Sequence, residues 1–327
     1  MEAPQVLLLQ RLSDGQDYHA EHLMQLVGLS ARDLQVAVDA LSDNGVYVIK
    51  TAQGYRLECA LDLIDQAVLK GLLMDALGSR LARVNSAWVI DSTNTDLLTQ
   101  GAPRAGNLRV SVAEFQTAGR GRRGRAWLQP LGSGVCLSVD WVFAGGARAV
   151  GALGLAAGVA VVRALQRFSV PHLALKWPND VLKAGAKLGG ILCELRVLPD
   201  GAAQVVVGVG LNVALPPVTR AAIVANGGLL PADLLDAEGA PSRTRLVAAL
   251  VEELAAMLVA FEARGLEPFL LEWGQLDALR HQPVRVQGPA GAYDGVAHGI
   301  AVDGGLQVES AGRMLSLQAG DVTVRAL

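Results

Sequence analysis

Apolar residues recur at helical spacing over the first forty positions, and then the period shortens. Leu7–Leu12 reads as one helix; His19–Val27, a Gly28-Leu29 turn and Ser30–Leu41 read as two more, with Ser30 placed to cap the last of them. Along that helix Leu34, Val38 and Leu41 share one face and are assigned to a core, which leaves Arg32, Asp33, Gln35, Val36 and Asp39 facing outward. After Asn44-Gly45, two β-like runs, Val46–Lys50 and Tyr55–Leu57, are joined by Thr51–Gly54. Helices followed by a two-stranded wing predict a winged helix-turn-helix, assigned to residues 1–65. Ala60–Leu77 continues with a helical pattern and joins this unit to the next.

From about Arg83 to Trp273 strands and helices alternate, among them helices predicted over Ala149–Phe168 and Arg243–Arg264, the second ended by Gly265. Between them Leu188–Leu198 and Ala203–Val209 flank Pro199-Asp200-Gly201, a turn signal that joins two β runs in a mixed or antiparallel sheet. Residues 66–275 are therefore assigned to a central α+β domain. Short β runs split by glycines over Pro283–Arg325 predict a small barrel, residues 276–327.

The length, 327 residues, suits two or three such units, and a composition 51% hydrophobic but only 4% aromatic builds its core from Ala, Val and Leu. A net charge of −3 lacks the basic excess of a protein that lives on nucleic acid, so anion binding must be local. The apolar run Ala149–Val162 is shorter than the ~20 residues that span a bilayer, and no basic-then-apolar leader opens the chain. Cys59, Cys136 and Cys193 are odd in number and far apart, which argues for a reducing compartment and against a zinc site. The expected location is the cytoplasm, with no membrane partner.

One loop concentrates the chemistry. Gly119-Arg120-Gly121-Arg122-Arg123-Gly124-Arg125-Ala126-Trp127 sets four arginines among three glycines with no acid nearer than Glu114. Planar guanidinium forks suit phosphate and glycines admit close backbone approach, so the loop is expected to be mobile when empty and ordered around a polyanion. The same spacing fits the Gly-x-Gly-x-x-Gly pattern of dinucleotide folds, but Gln129-Pro130 follow where a helix should open. Downstream, Lys176-Trp177-Pro178-Asn179-Asp180 leaves a β run with Asp180 able to hold a magnesium ion or simply to close a turn. Lys187-Leu188-Gly189-Gly190-Ile191 places a lysine at the start of a glycine-rich strand, and Gly208–Val213 ends a strand on Asn212, an amide as suited to capping a turn as to a ligand.

In this order Asp91-Ser92-Thr93-Asn94, Gln116, the arginine loop, Lys176–Asp180, Lys187–Ile191 and Gly208–Val213 closely resemble the bacterial biotin protein ligases over roughly residues 83–275. With the helix-turn-helix in front and the β unit behind, the chain resembles the bifunctional form that also represses the biotin operon. That resemblance implies a catalytic domain of the biotin/lipoate ligase type, a C-terminal SH3-like barrel, and an enzyme that makes biotinyl-5′-adenylate from biotin and ATP with Mg2+ and passes biotin to a lysine of the biotin carboxyl carrier protein of acetyl-CoA carboxylase. It implies biotin contacts from Ser92, Thr93, Asn94, Gln116, Arg120, Gly121, Arg122 and Lys187, with Arg122 and Lys187 catalytic. ATP or adenylate contacts fall to Arg120, Arg122, Arg123, Arg125, Trp127, Lys176, Asn179 and Asn212, and a metal contact to Asp180. A homodimer of the adenylate-loaded form is implied too.

Two other functions compete: a ligase whose helix-turn-helix no longer reads DNA, and a lipoate-type acyl ligase. DNA is where charge and resemblance part. Candidate operator contacts are Arg32, Gln35, Lys50 and Arg56, yet residues 1–60 carry four basic side chains against eight acidic ones, a formal charge of −4. That sign opposes phosphate binding.

Overall fold

The computed structural model describes residues 3–43, 45–146, 150–235, 240–288, 291–319 and 323–326. Asn44, of the expected turn, and Ala149, the start of one expected helix, lie outside them.

The N-terminal unit runs α1 (Ala3–Leu12), β1 (Tyr18–His19), α2 (Ala20–Val27), α3 (Ala31–Asp43), β2 (Val48–Lys50) and β3 (Gly54–Leu57), with a small antiparallel sheet in the order β1-β3-β2. Ser30 caps α3: its Oγ accepts the Asp33 N–H at 3.2 Å and its hydroxyl donates to the Asp33 carboxylate at 2.7 Å. Leu34, Val38 and Leu41 are buried as the pattern requires, joined by Ala37. The second expected helix starts one residue later because Tyr18 and His19 pair with Tyr55 and Gly54.

One expectation fails at the junction. Ala60–Asp65 is extended, and only α4 (Gln66–Leu77) is helical. Asp65 caps α4, its Oδ1 accepting the Ala67 and Val68 N–H groups, which ends any helix from the N-terminal side. The backbone before it has other partners. Ile64 N–H donates to Glu114 Oε1 at 2.6 Å and Asp65 N–H to Thr244 Oγ1 at 3.0 Å. Arg243, 1% exposed, donates to the Asp62 carbonyl through Nη1 at 2.6 Å, donates its backbone N–H to Asp62 Oδ2, and lies 2.8 Å from Glu114 Oε2 through Nη2.

A seven-stranded mixed sheet follows, ordered β4-β5-β6-β10-β9-β8-β7. Its strands are β4 (Leu81–Ile90), β5 (Leu108–Gln116), β6 (Gly134–Phe143), β7 (Leu173–Lys176), β8 (Asp180–Lys183), β9 (Ala186–Val197) and β10 (Ala203–Asn212). Only β4 and β5 are parallel, with α5 (Thr93–Thr99) in the crossover; the β9–β10 hairpin turns at Pro199–Gly201 as expected. Helices α6 (Leu153–Gln166) and α8 (Arg243–Arg264) pack on the sheet, α6 ending two residues short of the helix expected over Ala149–Phe168. Gly265, at φ +62°, ends α8 where a side chain would be strained. Two shorter helices, α7 (Pro217–Ala225) and α9 (Leu270–Leu276), lead to a five-stranded antiparallel sheet, β14-β13-β12-β11-β15, made of β11 (Pro283–Gly288), β12 (Gly291–Ile300), β13 (Leu306–Ser310), β14 (Arg313–Leu317) and β15 (Thr323–Ala326).

Among the described residues no helix is long and apolar enough to cross a membrane.

Candidate active site

Three positions on one face of β10 lay out the site. Gly208, Gly210 and Asn212 follow at the two-residue period of a strand, about 7 Å apart. A Cβ at Gly208 would stand 2.3 Å from Asn94 Oδ1, and one at Gly210 would stand 2.7 Å from Trp127 Cε2. Glycine is required at both because other side chains occupy the space.

Above Gly208 lies a buried polar pocket. Ser92 caps α5, so Thr93 and Asn94 enter from the first turn of that helix, all three nearly inaccessible. Gln116, at the end of β5, accepts the Thr93 N–H at 2.8 Å through Oε1. Ser138 of β6 lies 2.6 Å from Thr93 Oγ1 and donates to Asn94 Oδ1 at 2.6 Å, while Asn94 Nδ2 donates to Glu194 Oε2 of β9 at 2.6 Å. Ser138 and Glu194 were not among the sequence-derived residues. Ser138 carried a signal nonetheless, a hydroxyl in a strand that is apolar but for it and Asp140 and is buried on both faces. Behind the pocket, an ion pair and hydrogen bonds join Arg109, Asp140 and Gln204 and hold the Leu97 and Gly101 carbonyls at the end of α5.

Above Gly210 lies Trp127. Its indole N–H donates to Gln129 Oε1 at 3.0 Å, and the Lys187 ammonium sits 5.9 Å from the ring centroid. Gln129, also missed in the sequence, is buried and donates to Cys136 Sγ at 3.1 Å. Burial pushes the Cys136 thiol up to about 12, so it is an inert core group.

Around the far end of β10 the charges gather. Lys187 Nζ pairs with Asp180 Oδ1 at 2.6 Å. Burial lowers the pKa of the Lys176 ammonium, opposed by Asp180 and reinforced by Lys187 and Arg325. The Arg122 guanidinium, lowered likewise by burial and then by Arg123, donates to Asn179 Oδ1 at 3.3 Å. Asn179 Nδ2 is fixed in turn on the Ile191 carbonyl at 3.0 Å. Asn212 turns its Nδ2 to the Ala232 carbonyl at 2.9 Å, and its buried Oδ1 has no partner among the described residues. Among the described residues no three His, Cys, Asp or Glu side chains gather as metal ligands. A magnesium ion carried by phosphates needs no such cage, only a carboxylate or two.

The arginine loop differs from its expected unpaired state. Arg120 donates to Thr95 Oγ1 at 3.1 Å and lies 3.6 Å from Glu194; Arg122 reaches the Ala319 carbonyl, and Arg123 donates to Thr323 Oγ1 at 2.6 Å. Partners 25 to 200 residues away hold what local sequence leaves free. Gly121 and Arg125 close the loop on each other through a 2.7 Å backbone hydrogen bond, with the Arg125 side chain exposed.

In the N-terminal unit Arg32, Gln35 and Lys50 are exposed, as a DNA contact needs. Gln35, however, donates to Asp39 at 2.8 Å and accepts from the Tyr55 hydroxyl at 3.2 Å, and Arg56 donates to the Leu57 carbonyl at 3.2 Å.

Comparison with known proteins agrees with this geometry. The family model described as "Biotin/lipoate A/B protein ligase family" matches residues 51–212. The chain is 34% identical over 323 residues to the bifunctional ligase/repressor BirA of Salmonella typhimurium, covering 98% of this chain and 97% of that protein. The chain belongs to this ligase family. It is likewise 33% identical to the Escherichia coli BirA over 98% of its length, and 37% identical over 79% of its length to the biotin–[acetyl-CoA-carboxylase] ligase of Mycobacterium tuberculosis, covering 96% and 95% of those proteins. Among solved structures, the Aquifex aeolicus biotin protein ligase in complex with biotin and ATP has a TM-score of 0.60 at 22% identity over 75% of this chain and 100% of its own. That likeness shows the family's fold.

Proposed function

We infer that the chain is an ATP-dependent biotin protein ligase. The observation that carries this is the run of three sites along one strand face: a neutral donor–acceptor pocket over Gly208, an aromatic over Gly210 and a cationic cluster beyond it. In this assignment Ser92, Thr93, Asn94 and Gln116 receive the uncharged ureido head of biotin, and Arg120 and Gly121 close over it. The valerate carboxylate then reaches Lys187 and Arg122.

The first step joins two anions, the biotin carboxylate and the α-phosphate of ATP. Carboxylate oxygen attacks phosphorus and diphosphate leaves, so the residues need supply only position and positive charge. Arg122, Lys187 and Lys176 supply it, with Arg123 and Arg125 on the outer side, Trp127 at the adenine side, and Asn179 and Asn212 as amide supports. Magnesium, held by Asp180, would neutralise phosphate charge. A folded-over loop keeps water from the acyl-adenylate. In the second step the acceptor lysine amine attacks the acyl carbonyl and AMP leaves. The acceptor is the biotin carboxyl carrier protein of acetyl-CoA carboxylase.

Residues 1–65 are assigned to a winged helix-turn-helix, 66–275 to the catalytic domain and 276–327 to an SH3-like barrel. With Arg32, Gln35, Lys50 and Arg56 as its contacts, the first represses biotin synthesis when the adenylate-loaded chain pairs with a second copy. The protein acts in the cytoplasm. Incubation with ATP, carrier protein and labelled biotin or lipoate tests the assignment. Biotin alone becomes protein-bound; labelling by lipoate instead would move the chain to the other branch of the family.

A further inference from the structure

Glu194 occupies a place that neither the pocket nor the loop explains alone. It accepts from Asn94 Nδ2 at 2.6 Å and lies 3.6 Å from Arg120, so one carboxylate touches both the pocket floor and the loop that covers it. The carboxylate is partly exposed, at 30% of its side-chain surface, and Arg120 remains within reach from above.

An ionised carboxylate only accepts hydrogen bonds, whereas an amide or hydroxyl can point either way. Glu194 at 2.6 Å, seconded by the Leu192 carbonyl at 3.3 Å, therefore compels Asn94 to direct its NH2 outward and its carbonyl oxygen inward. Ser138 then spends its proton on Asn94 Oδ1, so at 2.6 Å Thr93 gives its single proton to Ser138 in preference to Gln116 Oε1 at 3.1 Å. A relay of groups with two self-consistent orientations is left with one. In that orientation Asn94 Oδ1 stands over Gly208 as an acceptor with a second lone pair to offer.

We propose that Glu194 is a positioning residue that fixes the donor–acceptor polarity of the head pocket and anchors Arg120 of the loop over it. This rests on the biotin reading above. A ureido group, with two N–H donors beside one carbonyl, binds only a pocket whose acceptors and donors are each in place.

The test uses Glu194→Gln, which keeps shape but leaves only the longer Leu192 carbonyl contact to orient the Asn94 amide, and the double variant Asn94→Asp/Glu194→Gln. In the double variant the amide introduced at position 194 donates to the carboxylate introduced at position 94. The second oxygen of that carboxylate still accepts from Ser138, so the inner polarity returns. Biotin affinity by calorimetry and steady-state kinetics on the full chain are the readouts. Glu194→Gln should weaken biotin binding about tenfold, raising KM more than it lowers kcat, and the double variant should regain most of that loss. A Glu194→Gln protein with unchanged biotin affinity overturns the proposal. So does a double variant weaker than the single one, a comparison that holds even where one variant is less stable. Wild-type protein that binds no biotin would instead remove the reading on which the proposal stands.

Discussion

Gly208→Ala puts the pocket geometry to its hardest test. The added methyl carbon would sit 2.3 Å from Asn94 Oδ1, and ordinary contacts begin near 3.4 Å, so something must move by about 1 Å. The backbone has little freedom to yield, because Gly208 pairs with Ser138 of β6 on one side and Leu192 of β9 on the other. Asn94 must swing instead, and its two 2.6 Å hydrogen bonds, to buried Ser138 and to partly exposed Glu194, break. Two such losses cost about 2–4 kcal/mol, or roughly 10²-fold in affinity for a ligand that needs the intact pocket. Calorimetric titration with biotin reads the affinity, and urea unfolding reads the stability. Adding Asn94→Ala should relieve the clash and recover stability without recovering affinity, which separates damage to the fold from damage to the pocket. Biotin binding by folded Gly208→Ala within about threefold of wild type would show that the head group does not lie over this strand.

Other predictions follow from the charge cluster, the loop, the thiols and the N-terminal unit. Arg122→Ala or Lys187→Ala should slow adenylate formation by about 10²-fold or more in single-turnover assays, since each removes a preorganised charge donor; unchanged rates in both would contradict their assignment. Biotin and ATP should slow tryptic cleavage within Gly119–Arg125, because occupancy adds contacts to those already made with Asn179 and the Ala319 carbonyl; equal cleavage with and without ligand would contradict closure. Thiols held up to about 12 stay protonated at pH 8, so Cys136 and Cys193 should resist a disulfide reagent there while exposed Cys59 reacts, giving one fast equivalent of three. Thiolate forms only as pH approaches the raised value, so reactivity of these two thiols should rise in alkali and not in acid. Operator binding, followed by fluorescence anisotropy over a salt series, should need the adenylate-loaded pair and show a shallow salt slope, because residues 1–60 carry a formal charge of −4; tight binding by the unliganded monomer would refute that.

Much of the site was legible because it depends on residue types that serve few other purposes. Four arginines among glycines announce close backbone approach and anion chemistry. Ser30 and Gly265 marked helix ends through conformations that local chemistry sets. What escaped was decided across the sheet. Ser138, Glu194 and Gln129 gain their roles only when β6, β9 and β10 lie side by side, and a lone serine or glutamate in a strand does not say what faces it. Ala60–Asp65 has the composition of a helix, but its backbone groups are taken by Glu114, Arg243 and Thr244, up to 181 residues away in sequence.

That same segment bears on how the N-terminal unit can work. Six residues of free chain would let an attached body wander over a span of about 13 Å, with the entropy of a tether to lose whenever it docked. Here the six residues are a strut. Arg243 and Glu114 grip them from a buried ion pair, and Leu61 and Leu63 pack into the N-terminal core beside Trp88 and Phe115 of the main sheet. The N-terminal helices are thereby held at a fixed place against the main sheet. The chain therefore carries a fixed ruler, and under the proposed repressor reading an operator that suits it must match a spacing cut into the enzyme's own framework.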